Sequence, residues 1–101
     1  MDLRRMMQEA QRVQQKMEEA EEALADERVE GTAGGGAVKV VLTGRRDIVE
    51  VKIEKSAVDP ADIESLEALV FVAFKSASEK ADKLREQKMA GLGVPNMPFN
   101  R

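Results

Sequence analysis

Leu3, Met6, Ala10, Val13, Met17, Ala20 and Leu24 recur at spacings of three and four, the a/d seam of an amphipathic helix prepared to pair with another helix. Asp2 stands where an acidic side chain caps such a helix, which is predicted over residues 1–27. The seam lasts about three heptads and includes small Ala residues, so it suits close packing inside a domain, with the other helix of the chain as expected partner. From Arg28 the period drops to two. Val29, Gly31 and Ala33 alternate with Glu30 and Thr32, then Val38, Val40 and Leu42 with Lys39, Val41 and Thr43. After Thr43-Gly-Arg-Arg-Asp47, Val49, Val51 and Ile53 face one way and Ile48, Glu50, Lys52 and Glu54 the other. Three short antiparallel strands within residues 28–55 follow, in a sheet covered on one face.

Asp59-Pro60 reads as a helix start, an acidic N-cap before a proline at the first helical position, and Gly91 as the stop. A helix over residues 60–90 would be about 46 Å long at about 1.5 Å per residue, against about 35 Å for the width of a compact domain of this size. Part of it is therefore expected to project. In its first half, Leu66, Leu69, Val70, Phe71, Val72, Ala73 and Phe74 wrap every side. A small sheet covers one of those sides, and a second copy of the chain is the expected cover for the rest, placing Leu69, Val70, Phe71 and Phe74 at a dimer interface. In the second half only Ala81 and Leu84 keep a narrow seam, expected to lie on that of the first helix. Residues 1–90 thus read as a single domain and residues 91–101 as a flexible Gly/Pro tail. The order is α+β: a helix, a three-stranded antiparallel sheet and a long helix.

Composition removes much chemistry. The 101 residues include no Cys and no His, hence no thiolate nucleophile, imidazole base, disulfide or usual zinc site. Gly34-Gly-Gly36 lacks the Gly-Lys-Ser/Thr of a phosphate loop and precedes a strand, so it reads as a turn. No calcium-loop spacing organises the acids, and the six Met read as pliable packing. No catalytic residue, metal, cofactor or small-molecule substrate is expected. The longest apolar run, Ala68 to Phe74, is too short to span a bilayer, and the first residues lack the apolar stretch of a secretory signal. No membrane partner is expected, and the location read from this is cytoplasmic.

A formal charge of −3 and a pI near 5.1 argue against a polyanionic partner until the distribution is considered. Residues 1–16 carry Arg4, Arg5, Arg12 and Lys16 against Asp2 and Glu9, net +2, whereas residues 17–30 are net −6. Residues 56–74 are net −4 and residues 75–88 net +2. Arg5, Arg12 and Lys16 fall within about 40° of arc on one side of the first helix. That stripe is either a solvated face or a track for phosphates. Antiparallel pairing of the two helices would bring Lys80, Lys83 and Lys88 close to Arg4 and Arg5 at one tip, with Glu18, Glu19, Glu21, Glu22, Asp26 and Glu27 at the opposite end. Phe71 and Phe74 sit in the apolar run, which disfavours a stacking platform for single strands.

Over essentially its whole length the chain resembles the YbaB/EbfC family of bacterial nucleoid-associated proteins. Three segments carry the likeness: Val29 through Gly44 with its glycine-rich stretch and first hairpin, Val49-Glu-Val-Lys-Ile53, and Ser65-Leu-Glu-Ala-Leu-Val70 with Ala73, Ala77 and the Gly91–Pro95 tail. Where the family usually shows Asn-Asp before the last of those Ala, this chain has Lys75-Ser76. The resemblance implies a homodimer whose long helices project like tweezers and bind double-stranded DNA in the nucleoid with little sequence demand. It implies neither catalysis nor a cofactor. Joined to the charge pattern, it turns Arg4, Arg5, Arg12, Lys16, Lys80, Lys83 and Lys88 into the candidate DNA contacts. The alternative is a helical interaction module that binds a protein client, with the cations serving solubility.

Overall fold

Residues 2–92 are described by the computed structural model. The elements are α1 (Leu3–Asp26), β1 (Arg28–Ala33), β2 (Val38–Thr43), β3 (Ile48–Ile53), a 3-10 turn (Lys55–Ala57) and α2 (Ile63–Ala90). The strands form one antiparallel sheet in the order β1-β2-β3.

Local chemistry accounts for the connections. Gly34, Gly35 and Gly36 all take positive φ in the β1–β2 turn, a conformation that side chains resist and glycine adopts freely. In the β2–β3 turn the Thr43 hydroxyl accepts from the backbone N–H of Arg45 and of Asp47, each at 3.1 Å. Asp2 caps α1 as expected, accepting from the Arg4 N–H at 3.1 Å, and α2 stops at Gly91.

The helix expected from Pro60 begins instead at Ile63. Two acids compete for the cap. Asp59 accepts from the Ala61 N–H at 2.9 Å, and its carbonyl accepts from the Asp62 N–H at 2.9 Å, closing a turn over Pro60. Asp62 then caps α2 through the Ser65 N–H and hydroxyl.

The core lies where α2 crosses β1 and β2. Val38, Val40 and Leu42 are fully buried, as are Ala73, Ala77 and Ala81 on the facing stripe of α2. Small residues allow this approach. At Gly31 an added Cβ would fall on the Ala73 carbonyl oxygen and the Ala77 nitrogen. β3 pairs Val51 with Val40 and Ile53 with Val38, so its apolar set shares the inner face, yet every β3 residue remains exposed. The sheet is covered on one face, and over β1 and β2 only.

The projecting element is α1, not the second half of α2. Every residue from Asp2 to Glu19 is exposed, about 25 Å of helix at about 1.5 Å per residue. The seam expected to pack on α2 is therefore uncovered in the chain, and only Leu24 is buried. Topology is the reason. β1 runs antiparallel along α2, from Glu30 near Lys80 to Gly34 near Leu69. α1 leads directly into β1, so it lies toward and beyond the C-terminal end of α2, which continues only about two turns past Ala81. The resulting body measures 69 × 23 × 16 Å with a radius of gyration of 18.8 Å, well above the about 13 Å of a compact 100-residue domain.

Candidate nucleic-acid interface

α1 holds together without a packed face because Leu3–Asp26 contains no Gly or Pro and is rich in Ala, Glu, Gln, Met and Arg, the strong helix formers. Its base is fixed to the body. The Gly44 N–H donates to the Leu24 carbonyl at 2.9 Å and to the Glu27 carbonyl at 3.1 Å, and Leu24 sits directly against Gly44. Glu21 is shared between Arg85 and Arg45, the latter at 3.6 Å. Lys88 reaches Glu27 at 3.6 Å.

These contacts decide which candidate cations are engaged. Lys80 donates to the Glu30 carbonyl at 2.7 Å, and Lys88 is paired with Glu27. Arg46 meets Asp82 at 3.2 Å and Lys39 meets Glu50 at 3.8 Å. By contrast, among the described residues Arg4, Arg5, Arg12, Lys16 and Lys83 are exposed and take part in no ion pair. Arg5, Arg12 and Lys16 line one flank of the arm, as their spacing implied. The single tip uniting Lys80, Lys83 and Lys88 with Arg4 and Arg5 does not form, because α1 runs past the end of α2 rather than back along it. For the same reason Glu21 and Glu27 lie beside Arg85 and Lys88 instead of at the opposite end.

The expected interface residues divide as well. Leu69 and Val70 are half-buried against the chain's own core, while Phe71 is 67% and Phe74 40% exposed. The ion pairs of Glu21 were not singled out from the sequence. Glu21 and Leu24, three residues apart, are neighbours on the last turns of α1, and Glu27 follows its end with extended backbone, but their partners on α2 and in the β2–β3 turn follow only from topology. Among the described residues no group of three or more acidic, His or Cys side chains is arranged to hold a metal, and no helix is long and apolar enough to cross a membrane.

The site is thus an α+β body that extends a capped, cation-bearing helix into solvent. The chain belongs to the YbaB/EbfC DNA-binding family, whose model matches residues 1–97. A nucleoid-associated protein of Chloroflexus aurantiacus is 45% identical over 91% of this chain and 92% of its own length. One of Streptomyces avermitilis is 40% identical over 97% and 93%, and one of Staphylococcus carnosus 49% over 71% and 72%. The fold matches the crystal structure of an uncharacterized protein from Helicobacter pylori with a TM-score of 0.83, at 19% identity, over 93% of this chain and 99% of that one.

Proposed function

We propose that this protein binds double-stranded DNA through backbone phosphates, with little sequence demand, as a nucleoid-associated homodimer in the cytoplasm. The observation that carries the reading is the contrast in cation use. Most cations of the body are engaged by its own carboxylates and carbonyls, whereas Arg4, Arg5, Arg12 and Lys16 ride unpaired on a helix held clear of the body. Unpaired guanidinium groups on a rigid rod suit phosphates, which they can bind bidentately. Arg5 and Arg12 are about 10 Å apart along the axis, a span of about three nucleotides of one strand. Lys83 adds an exposed cation on α2. The family and the names of the relatives support DNA as the polyanion. Self-association accounts for the apolar surface left open, Phe71 and Phe74 included. The reading requires no cofactor and no small-molecule substrate.

Gel-shift titration on unrelated duplexes tests it. Arg5→Glu with Arg12→Glu should weaken binding on every duplex alike, while Lys52→Glu on the open sheet face leaves it unchanged. If Lys52→Glu abolishes binding and the double variant binds as wild type, the DNA lies across the sheet. The uncovered apolar seam of α1 favours a second reading, a module for a helical protein client. Absence of binding to any duplex at low salt would decide for that one.

A further inference from the structure

We infer that Glu21 is a positioning residue for the cationic stripe of α1, an ionic clamp that fixes the direction in which the arm leaves the body. Its consequence for DNA rests on the phosphate reading proposed above; the clamp itself does not. α1 meets the body at one buried side chain, Leu24, whose carbonyl accepts from the Gly44 N–H at 2.9 Å. A rigid rod held at one point swings about it. Glu21, one turn farther out, is gripped from two elements at once, by Arg85 of α2 and by Arg45 of the β2–β3 turn at 3.6 Å. Two charge-assisted grips from different directions remove that freedom. The Glu21 and Arg85 side chains are 30% and 26% exposed, so salt screens them less than a surface pair.

The turn that presents Arg45 is itself held. Arg46 sits at a φ of 70°, a conformation uncommon for a residue with a side chain, and Asp82 engages its guanidinium at 3.2 Å. Asp82 follows the buried Ala81 on α2, with Arg85 three residues beyond. Neighbouring positions of one rigid helix thus supply the acid that holds the turn and the cation that holds the arm. Leverage makes the contact matter. Glu21 is about 4.5 Å along the axis from Leu24 and Arg5 about 28 Å, so each ångström of play at Glu21 becomes about 6 Å at Arg5. That exceeds the rise of about 3.4 Å per nucleotide of a strand. At about 100° per residue, Glu21 also lies about 140–180° round the axis from Arg5, Arg12 and Lys16. Clamped on that side, the arm turns these three cations away from the body.

The absence of native Cys allows two spin labels to be placed, at Gln8→Cys on the arm and Lys52→Cys on β3. Labelled chains are diluted in unlabelled ones, so that each distance is read within one chain. The labelled parent should give a narrow distance distribution. Glu21→Gln should broaden it about twofold, with unchanged circular dichroism. Glu21→Arg with Arg85→Glu restores an ion pair across the same contact and should narrow it again. Equal widths for Glu21→Gln and its parent would overturn the inference. On DNA the sign of the effect separates a clamp from a solvated acid. Removing the charge of a solvated acid raises affinity for a polyanion, as Glu22→Gln, at an exposed neighbouring position, should do. Glu21→Gln should instead lower duplex affinity about threefold through lost preorganisation, with the salt slope unchanged because no phosphate contact is removed. A rise in affinity matching that of Glu22→Gln would overturn the positioning role. If the parent binds no duplex, the phosphate reading fails while the label widths still decide the clamp. If the widths match while the parent binds, the clamp fails and the phosphate reading stands.

Discussion

Replacing Gly31 with Ala should reverse the sign of an ordinarily helpful substitution. In a strand interior, Gly→Ala usually stabilises by about 0.5–1 kcal/mol through reduced chain entropy and a better strand former. At Gly31, however, the new Cβ falls on the Ala73 carbonyl oxygen and the Ala77 nitrogen, with the Ala77 Cα at 3.0 Å. These are main-chain atoms of α2, and no rotamer relieves them. The helix must withdraw from β1 by roughly an ångström along the central contact of the core, at a cost near or above the 1–3 kcal/mol typical of overpacking. A net loss of about 3 kcal/mol lowers the melting temperature of a 100-residue domain by roughly 10–20 °C. Circular dichroism melts and urea titrations read this directly. Adding Ala77→Gly should give no rescue, because the obstruction is backbone. A Gly31→Ala protein melting at or above the wild-type temperature, or one rescued by Ala77→Gly, would refute the packing described for α2 on β1.

Leu24→Ala should cost about 2–4 kcal/mol, since the side chain is fully buried where α1 meets the body; an unchanged melting temperature would mean that the arm is not fixed there. Thr43→Val keeps the shape but removes the oxygen that accepts from Arg45 and Asp47, for an expected loss of about 1–2 kcal/mol in a chemical denaturation series. Gly35→Ala, in open space but at positive φ, should lose about 1 kcal/mol to backbone strain alone, and a gain in stability would contradict the turn conformation.

The sequence disclosed what neighbouring residues decide among themselves. Alternation placed β1, β2 and β3, Asp2 announced its cap, and the three successive glycines marked a turn that needs positive φ. Local signals misled where two were equally good. Asp59 before Pro60 looked like the cap of α2, and only the competition with Asp62 moved the start to Ile63. Distant relations were not legible at all. The seam of α1 said that one face is apolar, not what covers it, because that depends on β1 running antiparallel along α2. The use of Gly31 becomes apparent only when Ala73 and Ala77 are brought to it from more than forty residues away in the chain. Likewise, all seven candidate cations looked equivalent in sequence. The Glu30 carbonyl and the Glu27 carboxylate engage Lys80 and Lys88 only in three dimensions, leaving the four cations of the arm and Lys83 on α2 exposed and outside any ion pair.

The salt dependence of duplex affinity tests the central claim most directly. Phosphate binding releases counterions, so if about six cations of a dimer engage, log affinity falls against log salt with a slope near −5. Arg5→Glu with Arg12→Glu should flatten that slope by about 2 or more and weaken binding equally on unrelated sequences. Lys52→Glu should keep the wild-type slope. A wild-type protein whose affinity is insensitive to salt, or a double variant with undiminished slope and affinity, would contradict the assignment of DNA binding to the α1 arm.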